Sequence, residues 1–83
     1  MSTVSVFVHA MWDRLVFPFD PMQRIGDLKR LALEQARVEA DPDAFMVKVR
    51  GALVLDESST LDQAGVVPGG SIITLRRSRT AVR

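Results

Sequence analysis

Residues 25–36 read Ile25-Gly-Asp-Leu-Lys-Arg-Leu-Ala-Leu-Glu-Gln-Ala36, and the apolar positions within them decide how the rest of the chain must be arranged. Ile25, Leu28, Ala32 and Ala36 recur at intervals of three and four, which puts them in one stripe along a helix. The stripe predicts a helix from about Ile25 to about Glu39, ended by Asp41-Pro42-Asp43 because the residue before a proline avoids helical backbone. Asp20-Pro-Met-Gln23 has the chemistry of a helix start, with an aspartate cap, a proline in first position and a glutamine further on. A turn is therefore expected just ahead of the regular helix. Gly26 works against that helix by about 1 kcal/mol.

On both sides of the helix the period changes to two. Thr3 to Ala10 alternates, with Val4, Val6, Val8 and Ala10 on one face and Thr3, Ser5, Phe7 and His9 on the other, which is the pattern of a half-buried strand. Met11 to Arg14 is a polar break, and Leu15, Val16, Phe17 and Phe19 form a second strand, giving a hairpin. Pro18 lacks a donor and places this strand at a sheet edge, or ends it. After the helix, Phe45, Val47 and Val49 face inward while Met46, Lys48 and Arg50 face outward. Gly51 turns the chain into a short strand, Leu53 to Leu55. Thr60-Leu-Asp-Gln63 is a capping box, in which hydroxyl and side-chain amide each satisfy a backbone N–H, and Gly65 can take the left-handed conformation that closes it. Pro68-Gly69-Gly70 is a turn into the last strand, Ser71 to about Arg77. Ile72 and Ile73 are neighbours and must point oppositely, so one of them is exposed; the sequence leaves open which.

Eighty-three residues make one domain, read as residues 1–77, followed by a basic tail at 78–83. Hydrophobic residues at 47% and charged residues at 25% give the balance of a folded chain rather than a disordered one. There is no cysteine, which excludes disulfides, zinc–thiolate sites and iron–sulfur clusters. Residues 1–75 carry seven Lys/Arg and ten Asp/Glu, whereas the last eight carry four arginines and no acid. The acidic body weighs against a nucleic-acid role, and no aromatic platform or recognition motif accompanies the arginines. The tail can be a solvated end, a protein-docking segment, or a contact for nucleic acid or anionic lipid. No leader-like or membrane-spanning segment is visible, so a cytoplasmic location is expected, with any membrane contact made through a partner.

Taken together the order is hairpin, long helix, strand, short strand, one helical turn, last strand. Three stretches resemble the ubiquitin-like superfamily: Arg24-Ile-Gly-Asp-Leu-Lys29 at the helix start, Lys48-Val-Arg-Gly51 with Ala52-Leu-Val-Leu55, and Thr60-Leu-Asp-Gln-Ala-Gly-Val66 before the last strand. The resemblance implies an α+β fold, the ubiquitin-like β-grasp, with a mixed sheet and one long helix packed on one face. Length and an Arg/Ala/Val-rich, bacterial-looking usage are similar to the YukD-like accessory proteins of type VII secretion. Small ubiquitin-like subunits of bacterial diiron monooxygenases are the alternative. Modifiers and sulfur carriers of this superfamily need a terminal Gly-Gly. Here the chain ends Thr80-Ala-Val-Arg83, and Gly69-Gly70 falls before the last strand, where a turn accounts for it, so a sulfur carrier or modifier with a processed C-terminus is the third and least favoured reading.

His9 is the only histidine, which leaves a metal site without a second ligand, and nothing orients Ser58 or Ser59 as a nucleophile. No catalytic activity, cofactor or small-molecule substrate is therefore expected. In a β-grasp sheet the face away from the helix would present Phe7 and His9, then Met46, Lys48 and Arg50, with Trp12 at the hairpin tip. Aromatic residues, methionine and arginine are enriched at protein interfaces. The expected interaction residues are these six and, at the root of the basic tail, Arg76. The partner would be a larger protein. The competing reading has Phe7 and Trp12 folding back onto the domain. The superfamily's central exposed isoleucine appears here as Lys48.

Overall fold

A computed structural model describes residues 2–8, 13–38 and 41–76. Its elements are β1 (Thr3–Val8), β2 (Asp13–Pro18), α1 (Ile25–Gln35), β3 (Phe45–Val49), β4 (Ala52–Leu53) and β5 (Ser71–Arg76), with a 3₁₀ turn at Pro42–Ala44. The strands form one mixed sheet in the order β2-β1-β5-β3-β4. The two central strands, β1 and β5, run parallel, and every other pairing is antiparallel. This is the α+β, β-grasp arrangement that the sequence predicts. Val4, Val6 and Val8 of β1, Phe45, Val47 and Val49 of β3 and Ile72 of β5 point to one side and are buried. They pack with Ile25, Leu28, Ala32, Leu33 and Ala36 of α1, and Leu61 and Val66 from the β4–β5 connection complete the core. Full burial of each large aliphatic or aromatic side chain stabilises the fold by about 1.5–3 kcal/mol.

The helix is shorter than its stripe suggests, ending at Gln35 rather than near Glu39. Arg37 takes a left-handed conformation at φ 57°. The Val38 amide donates to the Leu33 carbonyl at 2.9 Å and the Arg37 amide to the Glu34 carbonyl at 3.1 Å. These two bonds are a Schellman closure, which satisfies the last carbonyls several residues before Pro42 could act. Asp41-Pro42-Asp43 instead starts the 3₁₀ turn, with the Asp41 carboxylate accepting from the Asp43 amide.

At the other end of α1 no side chain caps the helix. The Ile25 amide donates to the Ser59 carbonyl at 2.9 Å and the Gly26 amide to the Glu57 carbonyl at 2.8 Å, so the 57–59 loop supplies the acceptors that a cap would have provided. A Cβ on residue 26 would stand only 3.2 Å from that Glu57 oxygen, which is why glycine occupies a helical position. Lys29 seals the same junction from inside: at 2% exposure, it donates to the Phe45 carbonyl at 3.1 Å and pairs with Glu57.

The remaining boundaries move by one or two residues. β2 begins at Asp13, within the stretch read as a break, and lies at the sheet edge as Pro18 requires. β4 is Ala52–Leu53 rather than Leu53–Leu55, and Leu55 projects into solvent. The Thr60–Gln63 capping box forms reciprocally, at 3.0 Å and 3.2 Å, and Gly65 follows at φ 87°. Pro68-Gly69 forms the centre of a type II turn. Gly69 has φ 80°, the Gly70 amide donates to Val67 at 2.9 Å, and a Cβ on Gly70 would meet that carbonyl at 2.9 Å.

Candidate interaction surface

Residues directly opposite each other on neighbouring strands point to the same side of a sheet. Phe7 pairs with Arg14 on one side and Ile73 on the other, Ile73 pairs with Lys48, and Lys48 pairs with Leu53. One continuous row therefore crosses all five strands on the side away from α1, in the order Arg14, Phe7, Ile73, Lys48, Leu53. Phe7 is 39% exposed and Ile73 40%, at the centre of the sheet where no other element among the described residues covers them. Beside this row Met46 pairs with Leu75, both half-buried, and Val16, Ser5 and Ser71 make a further row toward the other end. Arg14 lies across the face, its Nε donating to the Ser5 hydroxyl at 3.3 Å.

The isoleucine ambiguity is resolved by register: Ile72 pairs with Val6 and enters the core, whereas Ile73 faces out. Of the residues expected on this face, Phe7, Met46 and Lys48 are there. Arg50 is exposed but belongs to the β3–β4 turn rather than to the strand. It and Gly51 have φ 54° and 82°, the two positive values that a type I′ hairpin turn demands. Arg76 is on the opposite side. It pairs with inward-facing Phe45, and its guanidinium sits 5.3 Å from the centre of that ring, held there by a cation–π contact. His9 and Trp12 lie outside the described residues, as does the segment 77–83. Arg14 and Leu53 went unrecognised in the sequence, the first because its stretch reads as a turn, the second because a two-residue strand has no periodicity of its own.

The electrostatics of the row are one-sided. Arg14 and Lys48 flank the Phe7–Ile73 pair, and no acidic residue shares the row. Acidic side chains gather instead around the 56–62 loop. There the Asp56 carboxyl is held below the usual range, chiefly by the Ser58 hydroxyl, then by the Ser58 amide and the charge of Arg24. Among the described residues no group of His, Cys, Asp or Glu is placed to hold a metal ion, and no helix is long and apolar enough to cross a membrane.

No protein-family model matches the chain, and no curated protein matches it in sequence. Its fold does match solved structures. A designed protein based on human erythrocytic ubiquitin superposes with a TM-score of 0.75 at 19% identity, covering 100% of both chains. The ubiquitin-like domain of Plasmodium falciparum Dsk2 gives 0.74 at 21% identity, over 92% of this chain and 97% of that one. Caldiarchaeum subterraneum ubiquitin gives 0.74 at 15% identity, over 96% and 98%. At these identities the likeness establishes the ubiquitin-like β-grasp fold.

Proposed function

We propose that this ubiquitin-like domain is a protein-interaction module that docks non-covalently through the open face of its sheet. The observation that carries the reading is the Phe7–Ile73 pair, two large apolar side chains side by side on central strands, bracketed by Arg14 and Lys48. Leaving such a pair in water is unfavourable, and a partner that covers it gains roughly 25 cal/mol for each Å² of apolar surface buried. The flanking cations orient that partner and speed its approach. Engagement of Gly69-Gly70 in the type II turn supports docking over covalent transfer, because this glycine pair serves the turn into β5. No step of the reading needs a catalytic group. Our preferred assignment is an accessory of a type VII secretion system, on the resemblance in length and usage to YukD-like proteins. The alternative is an accessory subunit of a multicomponent oxygenase.

Calorimetric titration against the cytosolic part of a secretion membrane component, and against an oxygenase hydroxylase, separates the two. Phe7→Ala and Lys48→Glu are expected to weaken the productive pairing at least about tenfold, the size of a loss of 1–2 kcal/mol at an interface hot spot. Lys48→Glu should leave the thermal midpoint within a few degrees of the parent, and Phe7→Ala, which removes a side chain only 39% exposed, should lower it while the domain stays folded. Binding that survives both substitutions would place the interface elsewhere.

A further inference from the structure

The open face ends in a depression of about 220 Å³ between the β3–β4 turn and the start of β5. Val66, Val67 and Ile73 form its apolar wall, Lys48 and Arg50 line it beside them, and among the described residues no acidic one does. Pockets that take cofactors or drug-sized ligands run from about 300 to 1,000 Å³, so this one has room for a single side chain or a chain end. Its border also holds an unfavourable backbone. Arg50 occupies the left-handed region at φ 54°, at a position of a type I′ turn where glycine, asparagine or aspartate is preferred. Arg37 shares the left-handed region and there closes a helix, but non-glycine residues held in it also cluster at ligand-binding sites. A larger depression of about 300 Å³ beside α1 differs in kind, since Asp27, Asp43 and Glu57 share its lining with Arg24, Lys29 and Arg30.

We propose that the 220 Å³ depression receives the C-terminal residue of a partner protein, an apolar side chain against Val66, Val67 and Ile73 with its free α-carboxylate between Lys48 and Arg50. A chain end is the group in which an apolar side chain and a carboxylate leave the same carbon, matching an apolar wall with cations at its border. The inference rests on the reading of the open face as a docking surface, which supplies the rest of the partner's contacts through Phe7 and Ile73. It adds a terminus requirement that the central row alone does not impose.

The test is an NMR titration with an N-acetylated five-residue peptide ending in leucine, as free acid and as amide. The free acid should shift the amides of Gly51, Gly65 and Ser71, and should bind at least about fivefold more tightly than the amide, as two partly exposed ion pairs allow. Arg50→Gly should erase that preference while keeping or raising the thermal midpoint, because glycine relieves the left-handed backbone. Lys48→Gln should reduce it. Equal binding of acid and amide, or an internal glutamate that restores full affinity to the amide, would overturn the terminus assignment. Phe7→Ala is expected to leave peptide binding unchanged while weakening the whole partner. Partner binding that survives Phe7→Ala would sink the docking reading; loss of the acid preference alone would sink only the pocket.

Discussion

Thr74 is a polar residue at the centre of a valine-lined core. Its side chain is 0% exposed, it pairs with Val8 on one side and Val47 on the other, and among the described residues its hydroxyl has no hydrogen-bond partner. An unsatisfied hydroxyl in such a site costs about 1–3 kcal/mol of desolvation that nothing returns. Thr74→Val replaces the hydroxyl by a methyl group of similar size on the same branched frame, and its stiff χ1 suits a strand. The expected gain is about 1–2 kcal/mol. For a domain of this size that raises the thermal midpoint by roughly 5–10 °C. Urea denaturation should show the same gain as a higher midpoint concentration with an unchanged slope. Thr74→Ser provides the control: it keeps the hydroxyl and loses a buried methyl, so it should cost about 1 kcal/mol. A Thr74→Val protein no more stable than the parent would mean that the hydroxyl is satisfied, and the account of this core would be wrong.

Three further outcomes are expected. Lys29→Met breaks the pair with Glu57 and the bond to the Phe45 carbonyl and should cost about 2–3 kcal/mol, reduced from the fully buried case because Glu57 is 21% exposed; Lys29→Met with Glu57→Gln should recover part of it in chemical denaturation. Gly26→Ala, which in an open helix would gain about 1 kcal/mol, should lower stability here, since the new Cβ presses on the Glu57 carbonyl at 3.2 Å; a rise in midpoint would show that the 57–59 loop yields. Asp56 has its carboxyl lowered in the folded state, so its contribution is present above the usual carboxylate range and fades as the pH falls through the folded value; Ser58→Ala should move the Asp56 titration, followed by carboxyl carbon NMR, back toward about pH 4.

The fold was legible because its signals were periodic and local. The stripe Ile25, Leu28, Ala32, Ala36 and the alternations Val4–Val6–Val8 and Phe45–Val47–Val49 name their buried faces without any knowledge of partners. Boundaries were less legible, each for an identifiable reason. The helix ends in a Schellman closure at Arg37, a residue that does not advertise the left-handed conformation, so the nearest stop visible in the sequence is Pro42. Its start depends on carbonyls of Glu57 and Ser59, some thirty residues downstream, which no local pattern announces. The same long-range bond gives Gly26 its purpose and converts an apparent helix-weakening residue into a packing requirement.

The interaction surface was only half legible, because a surface row is a property of register. Phe7 and Lys48 could be assigned from their own strands, but their joining through Ile73 requires that β5 run parallel to β1 with Phe7 opposite Ile73. A slip of one residue would have put Ile72 outside and buried Ile73, exchanging every neighbour on the face. Polarity does not decide between the two registers in favour of the observed one. With Ile73 inward, Thr74 and Arg76 would face the solvent side, and the core would gain Leu75 beside Phe45. The observed register accepts a buried Thr74 hydroxyl where the other would bury Leu75, while one isoleucine is exposed in either register. For stability alone the opposite register has the better pattern. That the strand adopts the other one follows from the Pro68-Gly69-Gly70 turn, whose Gly69 amide is bonded to the Thr3 carbonyl at 2.7 Å and whose Gly70 carbonyl accepts the Ser5 amide at 3.0 Å. These two bonds clamp the start of β5 against β1, so the turn sets the register. The register that sets Ile73 beside Phe7 is therefore held at the cost of a buried hydroxyl at Thr74, which is the physical reason for looking to this pair first as the place where a partner binds.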